Sequence, residues 1–158
     1  MDLHDIRNFV PLGESYGTAG QPTEEQLSLI AQHGFEVVVN LGLLDPRYCL
    51  PDEQGSVRAA GMSYHHIPVD FRNPTIGDFD RFREIILGSR GRKVFIHCAA
   101  NLRLSCFMPL LGESDLGWSM EQAEAHFRRL WSPDEVWTRF FEEARVKLRM
   151  HTGERGLD

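Results

Sequence analysis

The stretch Val94-Phe-Ile-His-Cys-Ala-Ala-Asn-Leu-Arg-Leu-Ser105 decides the fold. Lys93–His97 is a short, nearly unbroken apolar run, the pattern of a strand buried on both faces of a parallel sheet. The strand delivers Cys98 to a tight turn of small residues, after which an apolar helical pattern begins. In an open α/β sheet, ligands bind outside the carboxyl ends of the strands, which is where Cys98 falls.

Working outward, Glu36-Val-Val-Val-Asn40 has the same doubly buried character. Met62-Ser-Tyr-His-His-Ile-Pro-Val69 predicts a third strand, and Tyr16-Gly-Thr-Ala19 a short early one. Helices lie between them. Thr23-Glu-Glu-Gln26 is a capping box, in which the Thr hydroxyl and the Gln amide each take a free backbone N–H. Gly34 closes that helix as a left-handed cap. Thr75–Asp78 opens another, with Phe79, Phe82, Ile85 and Ile86 on one face and Gly88 at its end. Ser119-Met-Glu-Gln122 starts a further helix. Ser132-Pro-Asp-Glu135 starts the last, with Pro133 at the favoured first position. From there Trp137, Phe140, Phe141, Ala144 and Leu148 recur at helical spacing, a core stripe. Strand–helix alternation followed by a helical run predicts an α/β fold: a mainly parallel central sheet flanked by helices, with a helical C-terminal third. Pro109 should bend the helix that holds it. Residues 151–158 read as a flexible tail.

The chain has 158 residues, 42% apolar and 25% charged, the balance of one globular domain spanning 1–158. No apolar run reaches the roughly 20 residues of a membrane-spanning helix. The opening Met1-Asp-Leu-His-Asp5 lacks the basic and apolar regions of a secretory signal. A formal charge of −6 disfavours nucleic acid and anionic membranes as partners, while leaving open a small anion drawn by the local field of one pocket. Three cysteines, Cys49, Cys98 and Cys106, are no disulfide framework and point to a reducing, cytoplasmic setting. The pattern carries no signal of oligomeric state.

The chemistry concentrates at Cys98. Successive N–H groups of Ala99, Ala100, Asn101, Leu102, Arg103 and Leu104 can form an anion-binding concavity, reinforced by the positive end of the following helix. That field favours a nucleophilic thiolate, and a thiolate beneath an oxyanion cradle is equipped to attack phosphorus. The plainer alternative is a structural cysteine packed at a strand end.

His97-Cys98 with its small loop, Arg103 and Ser105 resembles the protein tyrosine and dual-specificity phosphatases, whose loop reads His-Cys-x-x-Gly-x-x-Arg-Ser/Thr. Thr18-Ala-Gly-Gln-Pro-Thr-Glu-Glu-Gln-Leu27, Phe35–Leu41 and Tyr64-His-His-Ile-Pro-Val-Asp70 extend the likeness. Together they resemble a bacterial phosphatase-like family, a domain of unknown function related to beta-lactamase hydrolase-like proteins. The resemblance implies a cysteine-dependent phosphatase that forms a phosphocysteine. Cys98 would be the nucleophile, Arg103 and the loop N–H groups the phosphate holders, and Ser105 the group that steadies the departing thiolate. His97 would brace the loop backbone. The substrate would be a phosphorylated small molecule or phosphoprotein, and no metal or other cofactor is required.

The loop also departs from that pattern. Asn101 occupies the glycine position, a mild change because Asn tolerates a left-handed backbone. Ser105 is in register. The Arg is not: Leu104 stands at the sixth position after Cys98, and Arg103 one place earlier, about 100° away on a helical backbone. Two alternatives follow. One is a weak or inactive pseudo-phosphatase that docks phosphorylated ligands; the other is a rhodanese-like sulfurtransferase, whose loop has the Cys-x-x-x-x-Arg spacing.

A phosphomonoester leaving group needs a proton. Asp70 is the candidate acid: it follows the His65-His66-Ile-Pro-Val69 segment, lies 28 residues before Cys98, and begins a loop able to swing over bound phosphate. Asp78 and Asp80 are rivals on the next helix. Arg72 is a candidate second cation. Cys106 and Cys49 are candidate partners for an oxidised Cys98.

Overall fold

The computed structural model describes residues 1–156, with side chains described through Met150. A short 3-10 turn (Leu3–Asp5) leads into β1 (Val10–Leu12) and β2 (Tyr16–Ala19), then α1 (Glu24–Gln32), β3 (Val37–Asn40), α2 (Glu53–Ala59), β4 (Ser63–His66) and α3 (Ile76–Gly88). β5 (Val94–His97) precedes three helices: α4 (Leu104–Asp115), α5 (Met120–Phe127) and α6 (Glu135–Gly156). The sheet order is β1-β2-β5-β3-β4; β1 is antiparallel to β2 and the other pairings are parallel. This is the expected α/β architecture. β5 is the central strand, and His97 pairs with Ala19 on one side and Asn40 on the other. Three parallel strands therefore end together at the edge where Cys98 leaves the sheet.

Alternation along the strands builds two cores. Val37, Val39, Val94 and Ile96 face α3, α4, α5 and α6 in one cluster, which includes Phe79, Phe107, Phe141 and Trp137. Val38 and Phe95 face the other way, with Leu27 and Ile30 of α1 and Val57 of α2. Both faces of β3 and β5 are dry, which accounts for their unbroken apolar composition.

The capping boxes at Thr23, Thr75 and Ser119 form as the sequence predicts, and Gly34 takes φ +88° after α1. Other details differ. Asp134, not Ser132, caps α6: its carboxylate accepts from Trp137 N at 2.9 Å, so Pro133 lies outside the helix. β4 stops at His66, because Pro68 has no N–H to continue a ladder. Ile67 and Val69 still donate to Asn40 and Leu41 carbonyls. α4 runs through Pro109 without a break in the helix. The tail expected from residue 151 falls where only helical backbone is described, through Gly156, and at residues 157–158 it lies outside the described residues. No helix among the described residues is long and apolar enough to cross a membrane.

Candidate active site

The loop after β5 is held from several sides. The Cys98 N–H donates to the Ala19 carbonyl at 3.3 Å, and the Ala99 carbonyl accepts from Gln21 N at 3.0 Å. A side chain at position 20 has no room: a Cβ there would lie 2.6 Å from the Ala99 carbonyl oxygen. Asn101 sits at φ +67°, the left-handed conformation expected at the glycine position. Its amide donates to the Asn8 carbonyl (2.8 Å) and to Thr18 Oγ1 (3.2 Å), while the Asn8 amide donates back to the Ala100 carbonyl (2.9 Å). This reciprocal clasp ties the chain ahead of β1 to the loop.

Among the described residues, the N–H groups of Ala99, Ala100, Leu102, Arg103 and Leu104 donate to no protein acceptor. Arg103 and Leu104 are nonetheless buried, where an N–H ordinarily finds a partner. Arg103 is the residue before α4 and supplies no side-chain cap, whereas α1, α3 and α5 are capped by a Thr or Ser hydroxyl. The helix start adds partial positive charge to the same donors. Cys98 itself is 0% exposed and belongs to the larger core cluster; Ala99, Ala100 and Leu102 beside it are half-buried. The sulfur therefore lies beneath the loop rather than on the surface.

Leu104, at the sixth position, is packed in the core and does not take an arginine's place. Arg103 is buried and aimed at the β4–α3 loop: its Nε donates to the Val69 carbonyl at 2.8 Å and its guanidinium lies 5.3 Å from the Phe71 ring centroid. Among the described residues, its two terminal nitrogens make no hydrogen bond. Asp70 is thus the neighbour of the carbonyl that Arg103 grips. Its exposed carboxylate accepts from Arg72 N at 2.9 Å.

The loop carrying Asp70, expected to swing over bound phosphate, is packed against two tryptophans. Phe71 packs against Trp131 and Trp137, and Trp137 Nε1 donates to the Phe71 carbonyl at 2.9 Å. Contacts from Arg103, Leu41 and the two tryptophans hold it. Of the rival acids, Asp78 is committed to the α3 capping box and to Arg81 at 2.9 Å.

Ser105 departs from the role implied by the resemblance. Its hydroxyl donates to the Leu102 carbonyl at 2.6 Å and accepts from Trp131 Nε1 at 3.0 Å. A hydroxyl has one hydrogen, so none is left for the sulfur in this arrangement. Cys106 is fully buried, which pushes its thiol well up, and all three cysteines are free.

His97 is fully buried, and both its ring nitrogens face oxygens. Nδ1 lies 3.2 Å from the Cys98 carbonyl and Nε2 lies 2.7 Å from Glu53 Oε2. Burial pulls the Glu53 carboxyl up, but His97, Gln21 and Tyr64 outweigh it and hold the group below its ordinary value. Burial pushes the Tyr64 phenol well up; its oxygen accepts from Asn40 Nδ2 at 3.1 Å. Glu53 was not singled out from the sequence, and Gln21 entered only within the Thr18–Leu27 stretch, with no role. The available signal was Asp52-Glu53 as a helix start, which Asp52 does cap through Gly55 N at 3.0 Å.

The mostly parallel sheet, with a Cys loop and a helix start at the end of its central strand, has the phosphatase fold of the dual-specificity and tyrosine phosphatase type. A family described as DSP-PTPase phosphatase fused to NAD+ kinase matches residues 15–108, and the chain belongs to it. A DUF442 protein from Shewanella putrefaciens, assigned as a phosphatase, superimposes with TM-score 0.83 at 31% identity, over 92% of this chain and 96% of that one. The catalytic domain of the PP-IP phosphatase SIW14 from S. cerevisiae, solved with citrate, shares the fold at TM-score 0.72 and 16% identity, over 96% and 94% of the two chains. A beta-lactamase hydrolase-like protein from Xylella fastidiosa is 26% identical over 120 residues, 74% of this chain. The chain spans only 28% of that curated relative.

Proposed function

We propose that the protein hydrolyses phosphomonoesters through a phosphocysteine on Cys98. The observation that carries this reading is the row of unpaired N–H groups at residues 99, 100 and 102–104 over a cysteine at the end of the central strand. Three non-bridging phosphoryl oxygens need several convergent donors, and this loop has them. The Cys98 sulfur attacks phosphorus as the ester P–O bond breaks, and Asp70 gives its proton to the leaving oxygen. Asp70, now a carboxylate, takes a proton from water. That water attacks phosphorus, the S–P bond breaks, and inorganic phosphate leaves as the thiolate returns. Arg103 holds a phosphoryl oxygen through its terminal nitrogens while its Nε keeps the Asp70 loop alongside. Ser105 braces the loop through Leu102. The substrate is a phosphorylated small molecule or phosphoprotein.

The family match and the fold support this over a persulfide carrier. A second reading, an anion-docking domain with little turnover, draws on the buried sulfur and on the commitment of Arg103 Nε to Val69. An aryl phosphate assay separates the two. Wild type hydrolyses it and Cys98→Ser falls by about a thousandfold or more. Equal rates in both would leave only docking. Asp70→Asn lowers the rate on an alkyl phosphate by about 10²–10⁴, and by less on an aryl phosphate whose leaving group needs no proton.

A further inference from the structure

The Gly20-Gln21 element is 77 residues from Cys98 in sequence yet touches its loop, and its polar contacts continue inward. Gln21 N donates to the Ala99 carbonyl, and Gln21 Nε2 donates to Glu53 Oε1 at 2.5 Å. Glu53 Oε2 faces His97 Nε2 at 2.7 Å, and His97 Nδ1 faces the Cys98 carbonyl at 3.2 Å. A carbonyl oxygen only accepts, so Nδ1 carries a proton. A carboxylate also only accepts, so Nε2 carries one too. A ring that donates from both nitrogens is an imidazolium. Glu53 is 7% exposed and His97 0%, so each is the counter-ion that permits the other to be charged out of water.

We propose that Gln21, Glu53 and His97 form a positioning relay for the nucleophile loop, in which Glu53 keeps His97 a doubly donating imidazolium against the Cys98 carbonyl. Gln21 orients the Glu53 carboxylate from one side and pins Ala99 from the other, so one side chain and its own backbone couple the charge pair to the loop. The remaining titratable group at Glu53 is the Tyr64 phenol from β4, itself held by Asn40 of β3. Among the described residues, Glu53 is the carboxylate that meets the ring. The relay places a fixed positive charge one residue from the sulfur and sets the direction of the first peptide of the loop. Its effect on rate rests on the phosphatase reading; the state of the ring does not.

Nitrogen-15 spectra of the histidine-labelled full chain test it, with the His97 signals assigned by His97→Asn. In the wild type both His97 nitrogens carry a proton, as their two oxygen partners require. In Glu53→Gln one nitrogen loses its proton, and Glu53→Asp restores the doubly protonated ring. A wild-type ring with one bare nitrogen at neutral pH overturns the relay, and needs no variant to fold. So does a ring unchanged in a folded Glu53→Gln. In the aryl phosphate assay, Glu53→Gln and Gln21→Ala lower kcat by about tenfold to a hundredfold with little change in KM, and Glu53→Gln shifts the pH profile. Should the wild type show no hydrolysis, the phosphatase reading fails while the spectra still decide the relay.

Discussion

Asn101 and Gly20 show how the backbone of the site is chosen residue by residue. At φ +67°, Asn101 both tolerates the left-handed turn and uses its amide to hold Asn8, which glycine cannot do. Asn101→Ala is therefore expected to destabilise by about 1–3 kcal/mol through strain and a lost hydrogen bond, read as a lower urea midpoint. Asn101→Gly keeps the turn and loses only the clasp, so its midpoint falls less. Gly20→Ala drives a methyl into the Ala99 carbonyl, a backbone atom that cannot swing aside. It should cost about 1–3 kcal/mol in the same measurement and depress turnover with it. Glu53 adds a pH term. Its pKa is lower folded than unfolded, so its contribution is present above the unfolded value of about 4.3 and lost as pH falls through the folded one. Glu53→Gln removes that part of the acid limb of a stability–pH curve.

At the level of elements, the Asp70 loop is fixed by α6 as much as by its own sequence. Trp137 is fully buried and its indole N–H meets the Phe71 carbonyl. Trp137→Phe leaves that carbonyl unpaired at a cost of about 1–3 kcal/mol and loosens the loop that carries Asp70, so on the proposed mechanism urea midpoint and kcat should fall together. In α5, burial chiefly, with Arg129 adding to it, lowers His126 to about 4. The folded state thus prefers the neutral ring. This stability is present above the unfolded value of about 6.5 and is lost as pH falls towards 4; His126→Gln should flatten that segment of the curve. The capped helices and the two apolar strands were legible because each carries a local signal: a Thr or Ser box, or an unbroken β-branched run. β1 is three residues long with Pro11 in the middle, and α2 is seven residues with Gly55 inside, so neither shows a period. Cys98 and its loop were legible from one contiguous motif. The Glu53–His97 pair and the Trp anchors of the Asp70 loop were not, because they join residues dozens of positions apart on different elements.

For the molecule as a whole, a sheet with a dry core on each face holds three parallel strand ends in fixed register, and the loop at Cys98 inherits that rigidity. An anion that pairs the loop N–H groups binds only the folded chain, so inorganic phosphate at a hundred times its Kd should add about 2.7 kcal/mol of stability. A thermal melt with and without phosphate checks this, and Cys98→Ser should retain the shift, since the donors are main-chain. The net charge of −6 makes that binding a property of the loop rather than of the surface. The central claim, that the Cys98 sulfur takes the phosphoryl group, is tested most directly by mass spectrometry of acid-quenched Asp70→Asn mixed with an aryl phosphate. The account predicts a phosphoryl adduct on the peptide that carries Cys98. Hydrolysis with no such adduct, undiminished in Cys98→Ser, would contradict it.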